Sequence, residues 1–185
     1  MLISMANEQP PSVIFGRHSL ALSGPSLKIG DTAPDFEATN SDLEPVHLSS
    51  LRVPSASLPP VFILSSVPSL DTGVCSAQTH RFEEEVGKLD GQAKLITISM
   101  DLPFAQGRFC GGQPKANTFF LSDHRLADFG LNYCTLIPDV RLLCRAVFVV
   151  GRNGRLVHVQ YVRDTGTHPD YDAVLAAVRK EIERQ

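Results

Sequence analysis

Cysteine supplies the most reactive side chains here: Cys75, Cys110, Cys134 and Cys144. None of the four shares the C-x-x-C spacing that a zinc site or a dithiol redox motif would use. They are therefore read as single-thiol chemistry or as small apolar filling. Cys75 follows an apolar run bounded by Pro60 and Pro68 and falls in the first turn of a segment with helical periodicity. In a first turn the unpaired backbone N–H groups and the helix dipole favour an anion, and so a thiolate over a thiol. Position alone does not separate this from a buried helix cysteine with no chemistry. Thr72, three residues earlier, is placed either to cap the helix or to hydrogen-bond the sulfur and a bound oxygen species. Pro68 taken alone is a strand terminator. The six histidines are scattered without metal spacing, so neither a metal nor a cofactor is expected.

Such residues need a scaffold, and the sequence proposes one. Residues 12–22 read as a short hairpin around Gly16, and residues 36–39 and 46–48 as short strands. Residues 61–65 are a compact apolar run of strand length, which suits a strand buried on both faces. A helix is predicted over 72–89, with Val74, Gln78, Phe82, Val86 and Leu89 on one face and Gln78 its one polar member. A strand at 94–100 and a helix opened by Pro103 and closed by Gly111-Gly112 follow. That order implies a right-handed parallel βαβ unit. Further strands are predicted at 118–121, 146–150 and 156–161, the last two joined by the turn Gly151-Arg152-Asn153-Gly154. Short and amphipathic helices are predicted at 125–129 and after Pro169. The expected fold is α/β and thioredoxin-like, a central mixed β-sheet flanked by helices, with an N-terminal β-hairpin. Residues 1–11 are expected to be flexible and residues 12–185 to form a single domain. The carboxyl ends of the parallel strands, where such folds bind ligands, would carry Cys75.

The chain has 185 residues, 43% of them hydrophobic and 20% charged, which suits a soluble globular protein with its own core. Seventeen basic residues face twenty acidic ones and no basic cluster occurs, so nucleic acid is not expected as a partner. The first residues carry no signal-peptide pattern, and no run reaches the roughly 18 apolar residues of a membrane span. A cytoplasmic location, where thiols stay mostly reduced, is the expectation.

Pro68, Thr72 and Cys75 together match the P-x-x-x-T-x-x-C motif of peroxiredoxins. The segments Asp71-Thr72-Gly73-Val74-Cys75 and Asp101-Leu102-Pro103-Phe104-Ala105-Gln106-Gly107-Arg108-Phe109-Cys110 resemble the two signatures of bacterial thiol peroxidases. Arg145-Ala146-Val147 and Pro169-Asp170-Tyr171 match later positions of that family, so the resemblance covers nearly the whole chain. It implies a thiol peroxidase reducing hydrogen peroxide and organic hydroperoxides, with Cys75 as the peroxidatic cysteine that becomes a sulfenic acid. Thr72 would position sulfur and peroxide, Pro68 would screen the intermediate from water, and Arg145 would stabilise the thiolate and the charge developing as the O–O bond breaks. Cys110 would be the resolving cysteine, and thioredoxin would reduce the resulting intramolecular disulfide. Cys110 lies about 10 Å along its helix at ~1.5 Å per residue, so local unwinding is expected on disulfide formation. The resemblance also implies a homodimer with its contact near Cys75. Cys134 and Cys144 match no required position and are read as buried apolar side chains. Residues 52–60 form a longer, more proline-rich loop than the family's, and the stretch before Arg145 is shorter. A dithiol oxidoreductase would carry C-x-x-C at the helix start, whereas Cys75-Ser76-Ala77-Gln78 does not. A non-catalytic redox-sensing or binding module would have lost one of Thr72, Cys75 and Arg145.

Overall fold

Seven strands build the central sheet in the order β11-β10-β5-β6-β7-β3-β4. The computed structural model describes residues 11–52, 59–112 and 114–184. All but the last residue of the expected flexible start, and most of the loop at 52–60, lie outside the described residues. A hairpin of β1 (Ser12–Phe15) and β2 (His18–Ala21) turns at Gly16, whose φ of 63° is the left-handed backbone that glycine adopts freely. Then come β3 (Glu37–Thr39), β4 (Pro45–His47) and α1 (Leu48–Leu51). The chain continues through β5 (Val61–Ser66), α2 (Gly73–Gly87), β6 (Ala93–Ser99), α3 (Pro103–Phe109) and β7 (Thr118–Ser122). It closes with α4 (Asp128–Asn132), a ribbon of β8 (Leu136–Ile137) and β9 (Leu142–Leu143), then β10 (Ala146–Val150), β11 (Leu156–Tyr161) and α5 (Tyr171–Glu183).

The apolar run at β5 is buried at every position because β5 lies inside the sheet, parallel to β6 and antiparallel to β10. Strands β6 and β7 are also parallel, which completes the predicted β5-α2-β6-α3-β7 crossover. Alternation along β5 separates two cores: Val61 and Ile63 meet Phe82, Val86, Val174 and Val178 from α2 and α5, while Phe62 and Leu64 join the aromatic cluster of Phe36, Phe129, Tyr133 and Phe148. The result is a thioredoxin-like α/β sandwich. No helix among the described residues is long and apolar enough to cross a membrane.

Two local expectations are corrected. The strand expected at 46–48 stops at His47, because the Asp35 carboxylate takes both the backbone N–H and the hydroxyl of Ser49 and turns the chain into α1. The short helix expected at 125–129 begins three residues later, after Ala127 at φ 53°. Its start is fixed by Asp123, whose two carboxylate oxygens accept the N–H groups of Phe129 and Gly130 at 3.1 and 2.8 Å. Nothing in the local hydrophobic pattern marks that long-reach cap.

Burial pushes the Asp123 carboxyl up from 3.8 to about 6, with the nearby Asp128 adding to the shift against the two backbone N–H bonds. The folded state therefore holds this proton more tightly than the unfolded chain does. The associated stability is fully present below the unfolded value and is lost as pH rises through about 6. Asp123→Asn fixes a neutral side chain at this position. Relative to wild type it should gain roughly 2 kcal/mol between about pH 4 and pH 7, on top of a constant offset from the lost acceptor. Urea melts of both proteins across that range check this. A constant difference between them would show that the carboxyl is not perturbed.

Candidate active site

Thr72 ends the β5–α2 loop in extended backbone and Gly73 begins α2, which puts Cys75 third in the helix. No side chain caps this terminus and no acidic residue lies in its first turn, so the first amides keep their donor capacity for an anion. Cys75 is fully buried. Its sulfur accepts a hydrogen bond at 3.3 Å from Nη2 of Arg145, just before β10. The resemblance paired these two residues, and the fold brings them together.

An arginine at a strand start is usually solvated, yet Arg145 is 1% exposed. Its fork is held on three sides. Nε and Nη2 donate to the Thr165 carbonyl at 3.1 and 2.7 Å, and Nη1 donates to Gln78 Oε1 at 2.6 Å. Gln78 is in turn fixed by donating from Nε2 to Ser65 Oγ at 2.8 Å. Among the described residues Arg145 makes no ion pair with a carboxylate. Its charge is thus left directed at the sulfur. The N-terminal hairpin supports this arrangement, since Ile14 O accepts both the N–H and the hydroxyl of Thr165.

Gln78, Ser65 and Thr165 were not singled out as site residues. Gln78 did carry a signal, as the one polar residue on an apolar helix face. Thr165 acts through a backbone carbonyl, which every residue has, so its type says nothing. Of the two roles considered for Thr72, the helix cap is not made. Its hydroxyl donates to the Ser69 carbonyl at 3.1 Å and makes no cap, leaving the oxygen's lone pairs as acceptors. Pro68, Thr72, Arg145 and Thr165 line a cavity of about 260 Å³ with Phe15 and Gly16 of the hairpin. A small molecule in this cavity meets Thr72 and Arg145, whose Nη2 bonds the buried sulfur.

Cys110 is the C-cap of α3 and is part-buried, its thiol directed to the Gly107 carbonyl at 3.4 Å. With Phe109 it packs on the small apolar cluster of Val67, Leu70, Cys75 and Phe120. On its other side Cys110 lines an apolar cavity of about 360 Å³ with Val46, Leu51, Pro114 and Phe119. All four thiols are free. Cys134 and Cys144 are buried in the aromatic core, as expected. Burial pushes both thiols up, Cys144 to about 12, which suits inert filling.

The sequence profile of the Redoxin family matches residues 28–175. A thiol peroxidase of Oceanobacillus iheyensis is 45% identical over 169 residues, 91% of this chain and 99% of that protein. One of Bacillus subtilis is 41% identical over 167 residues, 90% of this chain and 96% of that protein. A solved structure of a peroxiredoxin-like protein from Aquifex aeolicus superposes with a TM-score of 0.78 at 34% identity, covering 91% of this chain and 96% of that one. With a family profile across most of its length and relatives matched over nearly all of theirs, this chain belongs to the Redoxin family and, within it, to the thiol peroxidases of the peroxiredoxin group.

Proposed function

We propose that the protein reduces hydrogen peroxide and organic hydroperoxides at Cys75 and is recycled by thioredoxin through a disulfide with Cys110. The observation that carries this reading is the contact between the Cys75 sulfur and a buried arginine that has no carboxylate partner among the described residues. A buried guanidinium favours negative charge beside it, first on the attacking sulfur and then on the oxygen that leaves. In the first step the thiolate attacks the terminal oxygen of the hydroperoxide and the O–O bond breaks. The departing oxygen takes a proton and leaves as alcohol or water, and Cys75 is oxidised to the sulfenic acid. Thr72 Oγ1, with its own proton given to Ser69, accepts the hydroxyl of the incoming hydroperoxide. Pro68 lines the same cavity, and its part in this reading is to keep bulk water from the intermediate.

The thiol of Cys110 then attacks the sulfenic sulfur, water leaves, and the two cysteines are joined. Reduced thioredoxin returns both to thiols by exchange. The cavity against Cys110 offers an apolar approach for that partner. Exposed Leu102 and Phe104, at the start of α3 beside the Cys75 loop, support a homodimer with its contact near the site. The reading also includes a cytoplasmic location, where reduced thioredoxin is available.

An NADPH-coupled assay with thioredoxin and its reductase tests the function, comparing hydrogen peroxide with a small alkyl hydroperoxide. Turnover with both is expected. Peroxide consumption by added dithiol but none with thioredoxin would discard the proposed reductant, and no consumption with either would discard the peroxidase. Light scattering on the same preparations reads the assembly, and a monomer in both redox states would remove the dimer.

A further inference from the structure

The Thr72 hydroxyl is held by the carbonyl of Ser69, and what holds Ser69 is a carboxylate on the far side of the loop. Asp101 follows β6 and precedes α3. Its Oδ1 accepts the Ser69 hydroxyl at 2.8 Å, and its Oδ2 accepts the Leu70 N–H and the Ser99 hydroxyl, each at 2.8 Å. Ser69 in turn supplies its carbonyl to both the N–H and the hydroxyl of Thr72, at 3.1 Å each. The carboxylate is itself fixed, because the Asp101 backbone carbonyl accepts the Ser122 hydroxyl and Gln106 donates to Ser99 Oγ at 3.0 Å. Two successive residues of the loop before Cys75 are thus tied to one carboxylate at the end of the neighbouring strand.

We propose that Asp101 is a positioning residue for peroxide reduction, acting through Ser69 to set where the Thr72 oxygen meets the substrate; the inference rests on the peroxidase reading above. Asp101 touches neither the sulfur nor the cavity. Its effect is on placement, and a displacement of about 1 Å at a reacting centre can lower a rate roughly a hundredfold. The role uses hydrogen bonding and not charge, since a carboxylate near an attacking thiolate gives no electrostatic help. Asparagine can fill it. Its amide oxygen takes the Leu70 N–H and the Ser99 hydroxyl, and its amide N–H donates to Ser69 Oγ.

The experiment compares wild type, Asp101→Ala and Asp101→Asn in two reactions of the reduced enzyme. One is stopped-flow oxidation by hydrogen peroxide. The other is alkylation of Cys75 by iodoacetamide, which needs access and a nucleophilic sulfur but no Thr72. Asp101→Ala should react with peroxide about tenfold to a hundredfold more slowly, while its alkylation is unchanged or faster because the loop is looser. Asp101→Asn should recover to within about fivefold of wild type. Equal losses in both reactions, or a peroxide rate for Asp101→Ala within threefold of wild type, would overturn the role. An Asn variant as slow as Ala would overturn it too, because charge would then be what matters. Should Asp101→Ala not fold, Ser69→Ala removes the same link to Thr72 and should slow only the peroxide reaction. A wild type that is alkylated but does not react with peroxide would strike down the peroxidase reading itself, and this inference with it.

Discussion

Cys75→Ser should bring peroxide reduction to background, a loss on the order of a thousandfold or more, while the protein stays folded. Serine differs by one atom, but its hydroxyl is almost wholly protonated at neutral pH, so the attacking anion is gone. The surroundings tolerate the change. Cys75 has no exposed surface, and the hydroxyl oxygen accepts the Arg145 Nη2 hydrogen bond at least as well as sulfur does. The guanidinium keeps its other contacts to Thr165 and Gln78, so it is not stranded in the core. A stability change of about 1 kcal/mol is expected, from a slightly smaller and more polar side chain in an apolar cluster. Turnover measured beside a urea melt separates the two effects. Most of the activity surviving in a folded mutant would mean that another thiol carries the reaction. Cys134 and Cys144 are poor candidates, since burial pushes both thiols up and away from the anion.

Elements whose cause is local were legible in the sequence, and those whose cause is tertiary were not. Strand β5 announces itself because burial on both faces leaves an unbroken apolar run, and the β10–β11 hairpin because its turn carries Gly151, Asn153 and Gly154. Helix α3 shows Pro103 at its start and glycines after its end. The start of α4 was missed by three residues because it is set by Asp123, which reaches from the end of β7. The site divides in the same way. Cys75, Thr72 and Pro68 stand within eight residues of one another and form a recognisable pattern. Arg145 is seventy positions from Cys75, and only the antiparallel pairing of β5 and β10 explains why it is buried against that sulfur. The Ser65–Gln78–Arg145–Thr165 chain needs four separate elements, so no window of sequence contains it.

Cys110→Ser should leave the first step intact and remove the cycle. The variant consumes about one equivalent of peroxide, halts with Cys75 as sulfenic acid, and loses thioredoxin-driven turnover. The wild type should instead show Cys75 and Cys110 in one intramolecular disulfide, and forming it requires leaving the reduced structure. The Cys75 sulfur is directed to Arg145 and the Cys110 sulfur to Gly107 O, so neither addresses the other. Bringing them together breaks the last turn of α3, where Cys110 N bonds Gln106 O and Gly112 N bonds Gly107 O. It also pulls Phe109 from between the His80 ring, stacked at a centroid distance of 5.1 Å, and Phe120 at 5.7 Å. Removing an aromatic side chain from such packing costs about 2 kcal/mol, a modest cost at the end of a short helix. Gly111 and Gly112, both at positive φ, supply a hinge just past the cysteine. The tie from Lys115 to the buried Glu83 carboxylate of α2, 3.2 Å long, marks where the loosened segment is held again. Non-reducing peptide maps and hydrogen exchange over residues 70–112, compared between redox states, examine both parts. Faster exchange in residues 103–112 of the oxidised protein is the expected result. Cys75 joined to Cys134, Cys144 or a second subunit would take the resolving role from Cys110. The expected disulfide with unchanged exchange would keep that role but remove the unwinding, since the two sulfurs would then have met within the folded frame.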